Sequence, residues 1–362
     1  MSKNIVLCMD GTGDELGASN TNLARIYQML PPSDAKQITF YDPGVATGKI
    51  LKPVKLFQFI TGAGISKNIK KAYTFLAMNY EPGDQVYLFG FSRGAYTARS
   101  LMGLINCVHL LWPDRINQLD RAYRLYAGKA KKTKTDHFRS LHARPADIYL
   151  VGVFDTVGSL LGPFFFKTFG MLMAFMIAST FYNDLYIVVA MVIVFGFLLS
   201  PWVVKLNAFL GIHKFHNTQL CPGNVFAYHA VSIDEKRRSF KPRLWNDKDD
   251  PRVEQIWFAG THKDIGGPSL NPETANSSLR WMMKNAQAKG LLINYQEGDL
   301  KINTGGALTP NKFPLNLFPV ARGLKKHYRF HESVEQRIQL NPDYASAKRI
   351  KKLDPIFVWD LA

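Results

Sequence analysis

The feature that most constrains this chain is a pentapeptide at a strand-to-helix junction. An apolar run, Val86–Phe89, leads into Gly90-Phe91-Ser92-Arg93-Gly94, and a helical pattern, AYTARSLMGLI, follows. GxSxG in that setting has the spacing that a nucleophile elbow needs, with Ser92 as the nucleophile; a merely structural turn is the alternative. A serine on a sharp turn needs flanking residues without side-chain bulk, and the turn exposes its hydroxyl. The elbow also sets the Arg93 backbone N–H at a helix start, where it can stabilise an oxyanion. GxSxG alone is a weak signal; the strand before it and the helix after it supply the confirming context.

Other apolar runs fit a sheet around this junction. Candidate strands are Ile5–Met9, Ile38–Tyr41, Ile148–Phe154, Val225–Ile233 and Gln255–Ala259, with helical patterns at Leu23–Leu30 and Ile65–Asn79. Alternating strands and helices predict an α/β fold with a mostly parallel sheet. In such sheets ligands collect at the carboxyl ends of the strands. Ile148–Phe154 is followed by Asp155, and Gln255–Ala259 by a glycine-bordered loop carrying His262. Ser92, Asp155 and His262 then follow the chain order of an α/β-hydrolase triad, with the acid orienting the histidine. Asp155 could instead cap the next turn. Asp264 is a competing acid, read as a loop-stabilising residue beside His262. The other eight histidines, His109, His137, His142, His213, His216, His229, His327 and His331, read as surface or core residues.

The first strand ends in Asp10-Gly11-Thr12-Gly13. Amides of Gly11, Thr12 and Gly13 could add a second oxyanion donor, with Asp10 in support. A phosphate loop is the rival, but no GxxxxGK[ST] is present, and Gly62 and Gly64 read as a helix entrance. No histidine–carboxylate spacing calls for a catalytic metal, and no cofactor is expected. Three cysteines without a CxxC pair exclude a disulfide scaffold and fit a reducing compartment.

Lys plus Arg number 45 against 28 Asp plus Glu, a formal net charge of +17. Such a balance points to an anionic partner. No nucleic-acid-binding motif appears, so a phospholipid membrane is the expected one. The run Lys129–Lys134 is a solvated loop or a lipid-binding patch. From Thr168 to Val204 the only charged residue is Asp184. Phe164–Tyr182 and Leu185–Val204, 19 and 20 residues long, approach the roughly 20 residues of a spanning helix. Asn183-Asp184 would form the turn between them. The expectation is a transmembrane hairpin at 163–205, inserted between hydrolase parts 1–162 and 206–362; a buried hairpin of a water-soluble core is the alternative. Lys167, Lys205 and Lys214 flank the hairpin, and the opening MSKNIVLCMDGTG reads as a strand and loop, not a signal peptide. Together these place the catalytic domain on the cytoplasmic face of a bacterial inner membrane. A delivered effector acting from the periplasmic side is the rival placement.

Several strings resemble one family. DQVYLFGFSRGAYTAR is similar to the nucleophile motif of the type VI secretion lipase effectors of the GFSRG-bearing group, and of related bacterial and fungal hydrolases. MDGTG at Met9–Gly13, YDPGVATG at Tyr41–Gly48 and AYTFLAMNYEPGD at Ala72–Asp84 extend the resemblance. So do GVFDTVGSLLG at Gly152–Gly162, AYHAVSIDEKR at Ala227–Arg237, WFAGTHKDIGG at Trp257–Gly267 and HESVEQR at His331–Arg337. The resemblance implies an α/β-hydrolase fold and phospholipid hydrolysis, with Ser92 as nucleophile, Asp155 as acid and His262 as base. The apolar insertion departs from the shorter connection of many relatives. The function expected is a membrane-anchored phospholipase of the A type, possible as a homo-oligomer. The alternatives are a tethered esterase or thioesterase on smaller acyl substrates, and a pseudo-hydrolase scaffold or pore former.

Overall fold

Strand β1 (Asn4–Met9) shows why the sheet is covered on both faces. Ile5, Leu7 and Met9 enter one apolar cluster, while Val6 and Cys8 enter another. Side chains alternate along a strand, so a strand buried on both sides must be apolar throughout. The computed structural model describes residues 2–11, 20–44, 64–128, 130–157, 220–246, 250–296, 298–311 and 319–359.

In chain order, β1 is followed by α1 (Asn22–Met29), β2 (Gln37–Asp42), α2 (Ile65–Asn79), β3 (Gln85–Phe91) and α3 (Arg93–Val108). A two-stranded ribbon, β4 (Leu110–Leu111) with β5 (Ala143–Arg144), brackets α4 (Leu119–Ala127) and α5 (Lys132–His142). Then come β6 (Ile148–Phe154), β7 (Phe226–Ser232), β8 (Val253–Phe258), α6 (His262–Gly266) and α7 (Pro272–Ala288). The last elements are β9 (Arg329–His331), α8 (Glu332–Leu340), α9 (Ala347–Lys351) and β10 (Ile356–Val358). The described strands form an eight-stranded sheet in the order β2-β1-β3-β6-β7-β8-β9-β10, every neighbouring pair parallel. Helices α2 to α5 pack on one face and α1 and α7 on the other; a third cluster under α8 and α9 gathers Trp257, Phe330 and Ile350.

Register places the reactive edge. Met9 pairs with Gly90, Phe91 with Phe154, Phe154 with Ala230, and Ser232 with Phe258. The residues just past these pairs therefore share one edge: Asp10, Ser92, Asp155 and the loop to His262. The order turns back at β1 and β3, the switch point at which open α/β sheets bind ligands.

The expected α/β class with a mostly parallel sheet is present, but its membrane hairpin needs correcting. Among the described residues no helix is long and apolar enough to cross a membrane. The longest of them, α7, has 17 residues and includes Glu273, Arg280 and Lys284. Most of it is buried, polar Thr274, Asn276, Ser277, Ser278 and Asn285 together with apolar Leu279, Trp281, Met282 and Met283, so it packs as a core helix of a globular fold. Among the described residues the fold class is thus α/β, with no membrane-crossing helix. The stretch 163–205 itself lies outside the described residues. The expected placement as an integral inner-membrane protein with a cytoplasmic catalytic face rests on that hairpin, and no described helix supports it.

The elbow glycines are tightly enclosed. A Cβ on Gly94 would stand 1.9 Å from the Met9 carbonyl oxygen, and one on Gly90 2.5 Å from the Ala95 Cα. Both obstacles are backbone and cannot swing aside. Gly94→Ala is expected to lower unfolding free energy by about 3 kcal/mol or more. Gly323→Ala, which meets nothing within 4 Å, should stay within about 0.5 kcal/mol. Denaturant melts of the two variants check the contrast.

Candidate active site

Ser92 stands between β3 and α3 at φ 56°, ψ −116°. A non-glycine residue there is strained. The conformation is held by its N–H donating to the Phe154 carbonyl at 3.0 Å and its carbonyl accepting from Tyr96 N at 3.3 Å. It turns the hydroxyl toward the loop after β8. The Ser92 Oγ lies 2.9 Å from Nε2 of His262, and the Nδ1 of that ring lies 2.6 Å from Oδ2 of Asp155. An ionised carboxylate only accepts, so Nδ1 carries the ring proton and Nε2 is left to accept from the Ser92 hydroxyl. The structure thus brings together the three residues singled out from spacing.

His262 opens α6 behind Thr261, whose capping box with Asp264 fixes the turn. The ring lies between Phe91, at 4.8 Å between centroids, and Phe240, at 4.9 Å. Its backbone N–H donates to Glu235 at 3.3 Å, and Glu235 is paired with Arg237 at 2.7 Å. Burial pulls the His262 pKa below the usual imidazole value, against the opposing pull of Asp155. The ring is therefore neutral near pH 7, as a proton acceptor must be.

Asp155 is fully buried, at φ 37°. Its Oδ1 accepts from Ser232 N at 3.0 Å and its Oδ2 from Ser232 Oγ at 3.2 Å. Arg322 grips both oxygens, Nη1 to Oδ1 at 2.6 Å and Nη2 to Oδ2 at 3.0 Å. Burial, the strongest single influence, works to raise this pKa. The Arg322 charge and the His262 hydrogen bond together outweigh it and hold the carboxyl well below the usual carboxylate range. Neither Ser232 nor Arg322 was singled out from the sequence. Ser232 ends a strand, a position that could have drawn notice; Arg322 has no motif around it.

His229, read as a surface or core residue, is buried in β7, and its Nε2 accepts from the N–H of Thr156, next to Asp155, at 3.2 Å. Burial lowers its pKa to about 3, so it stays neutral. Asp264 is also buried, and its side chain accepts from Thr261, Ser269 and Thr309, tying its own loop to the segment at 309. Its place is that of a loop brace. Asp10 accepts from Gly11 N at 2.7 Å, Thr21 Oγ1 at 2.6 Å and the Tyr41 hydroxyl at 2.7 Å. It thereby shapes the turn that carries Gly11 along the edge of the site. Arg93 is the first residue of α3, so its N–H belongs to the helix's amino-terminal amides. Thr12 and Gly13 lie outside the described residues. Among the described residues no group of three or more His, Cys, Asp or Glu could hold a metal ion.

The uncharacterized protein YEL023C of Saccharomyces cerevisiae is 31% identical over 184 residues, which cover 44% of this chain and 27% of the yeast protein. The matched stretch is thus about a quarter of that protein's length. A solved structure of the Tle1 effector bound to the VgrG spike from the type VI secretion system aligns at TM-score 0.45 and 14% identity, over 83% of this chain and 76% of the other. An uncharacterized protein from Pseudomonas aeruginosa aligns at TM-score 0.43 and 13% identity, over 83% of this chain and 48% of the other. The family model described as "T6SS, Phospholipase effector Tle1-like, catalytic domain" matches residues 3–285. An effector family also departs from the integral inner-membrane placement expected above. With a match over that span, the chain belongs to the Tle1-like phospholipase effector family of type VI secretion.

Proposed function

We propose that this chain is a serine phospholipase that cleaves an acyl ester of a phospholipid through an acyl-enzyme on Ser92. The observation that carries the reading is the buried relay of two hydrogen bonds, 2.9 Å from Ser92 to His262 and 2.6 Å from His262 to Asp155. Ser92 Oγ attacks the acyl carbonyl carbon while His262 Nε2 takes its proton. The carbonyl oxygen gathers negative charge, to which the Arg93 N–H contributes a donor; the Gly11 N–H, expected to be a second one, is already held by the Asp10 carboxylate at 2.7 Å. His262 then returns the proton to the departing lysolipid oxygen, leaving the acyl group on Ser92. Water attacks that ester, losing its proton to His262, and the fatty acid leaves as Ser92 regains its hydrogen. Asp155 keeps the ring in the one tautomer that can do this.

The surroundings suit a phosphate-bearing substrate at a surface. Lys236, Arg238, Lys241 and Lys263 are exposed, and they flank two residues of the site. Phe240 packs edge-on against the His262 ring. Lys236 is tied by its carbonyl to Val320 N at 2.8 Å. Val320, 53% exposed, adds an apolar side chain beside Lys236. Basic side chains with an exposed aliphatic one match the charge and depth of an anionic lipid head-group layer.

On phospholipid vesicles, Ser92→Ala and His262→Ala should each lower kcat by about 10³-fold or more, with the melting temperature kept. Asp155→Asn should be nearly as harmful through the wrong tautomer, and Asp264→Asn should keep kcat within about tenfold. Loss of activity in Asp264→Asn with Asp155→Asn active would reverse the acid assignment.

Replacing Lys236, Arg238, Lys241 and Lys263 together with Gln should slow hydrolysis of anionic vesicles by roughly tenfold or more, since each basic residue near such a surface contributes about 1 kcal/mol. Hydrolysis of a soluble short-chain ester should hardly change. Equal losses on both substrates would remove the rim from lipid recognition.

A further inference from the structure

Arg322 lies 167 positions from Asp155 in sequence and beyond residue 285, where the family match ends. It is 7% exposed. Both terminal nitrogens of its guanidinium are committed around the acid. Besides the two bonds to Asp155, Nη1 donates to the Ser232 carbonyl at 2.9 Å and Nη2 to the Phe240 carbonyl at 2.6 Å. The Arg322 carbonyl in turn accepts from Arg349 of α9. One side chain therefore joins the acid, the end of β7 and the segment that carries Phe240 onto the His262 ring.

We infer that Arg322 is a positioning residue that keeps Asp155 ionised and cancels its charge toward His262, so that the Asp155–His262 pair resists taking up a proton and stays competent at lower pH. The inference rests on the serine-hydrolase reading above.

The charge count gives the sign. With Arg322 present, Asp155⁻, neutral His262 and Arg322⁺ sum to zero, and one added proton leaves a buried net charge of +1. Without the Arg322 charge the same pair sums to −1, and an added proton brings it to zero. Uptake is then favoured, whether the proton rests on the carboxylate or on the ring, because the two titrate as a pair. The other charges facing His262 act identically in both cases. Glu235 lies under its backbone N–H and is paired with Arg237, whose guanidinium sits 3.6 Å over the Phe240 ring; Arg238, Lys241 and Lys263 stand outside. A fork of two parallel N–H donors matches a carboxylate in a way that a lysine cannot.

The test uses the full chain and a soluble short-chain ester, so that surface pH plays no part. In the unaltered protein the acid limb of kcat/KM should lie below about 6.5, the ordinary imidazole value. In Arg322→Met, with folding checked by circular dichroism, the limb should move up by about one pH unit or more. In Arg322→Lys the charge remains, so the limb should stay at the original position while the plateau falls. The His262 ring followed by NMR should titrate with the same shift, and it needs no substrate. If Ser92→Ala hydrolysed the ester as well as the original, the hydrolase reading would fail and the ring titration would still decide the role of Arg322. A Met variant with reduced activity but an unmoved limb and ring titration would make Arg322 a structural brace only. A limb above 6.5 in the unaltered protein would overturn the inference even if the Met variant failed to fold.

Discussion

Asp155 has no exposed surface, and a carboxylate taken out of water is costly unless charge and hydrogen bonds replace its hydration. The replacement comes from three distant parts of the chain: Ser232 at the end of β7, His262 at the start of α6 and Arg322 before β9. Those contacts require β6 and β7 to be neighbours with Asp155 just past the last paired residues, which the parallel ladder supplies. Removing any one partner leaves part of a buried charge uncompensated. Asp155 is therefore a point at which β6, β7 and the segments carrying His262 and Arg322 are joined.

The second demand is backbone space. Ser92 can hold its left-handed conformation because Gly90 and Gly94 let β1, β3 and α3 close to backbone contact. The strain is borne by a residue whose neighbours are all committed: its N–H to β6, its carbonyl to the first turn of α3. The chain's own backbone contacts set the 2.9 Å approach of Ser92 to His262. Rigid positioning of a nucleophile against its base is what an acyl-transfer site needs before substrate arrives.

Much of this was legible from residues alone, and the reasons are local. Strands buried on both faces must be apolar, so β1, β3 and β6 appear as uninterrupted runs, and β6 coincides with its expected bounds, Ile148–Phe154. Ser92, Asp155 and His262 each follow a strand, and the edge of a parallel sheet gathers such residues. Arg322 carries no such mark. It follows no strand, repeats no period, and matters only because the tertiary fold lays it against Asp155. The strands β9 and β10 are three residues each, RFH and IFV, too short for alternation to register. His229 looked like a core residue and is one, yet it also fixes the amide after Asp155. The membrane hairpin was read from hydropathy over 163–205, which reports a tendency to leave water and not the place the segment goes. Among the described helices, α2 buries one apolar side in the core and α4 packs on α3.

The central claim is that Ser92 is the atom that becomes acylated, with His262 as its base. A fluorophosphonate reacts covalently with an activated serine and with little else, so it reports that claim without a lipid. Intact-protein mass spectrometry after exposure should find a single adduct, and peptide mapping should place it on Ser92. Ser92→Ala should show none, and His262→Ala should label at least about a hundredfold more slowly, the scale of losing a general base. A protein that stays unlabelled while folded, or one labelled at a serine other than Ser92, would contradict the account.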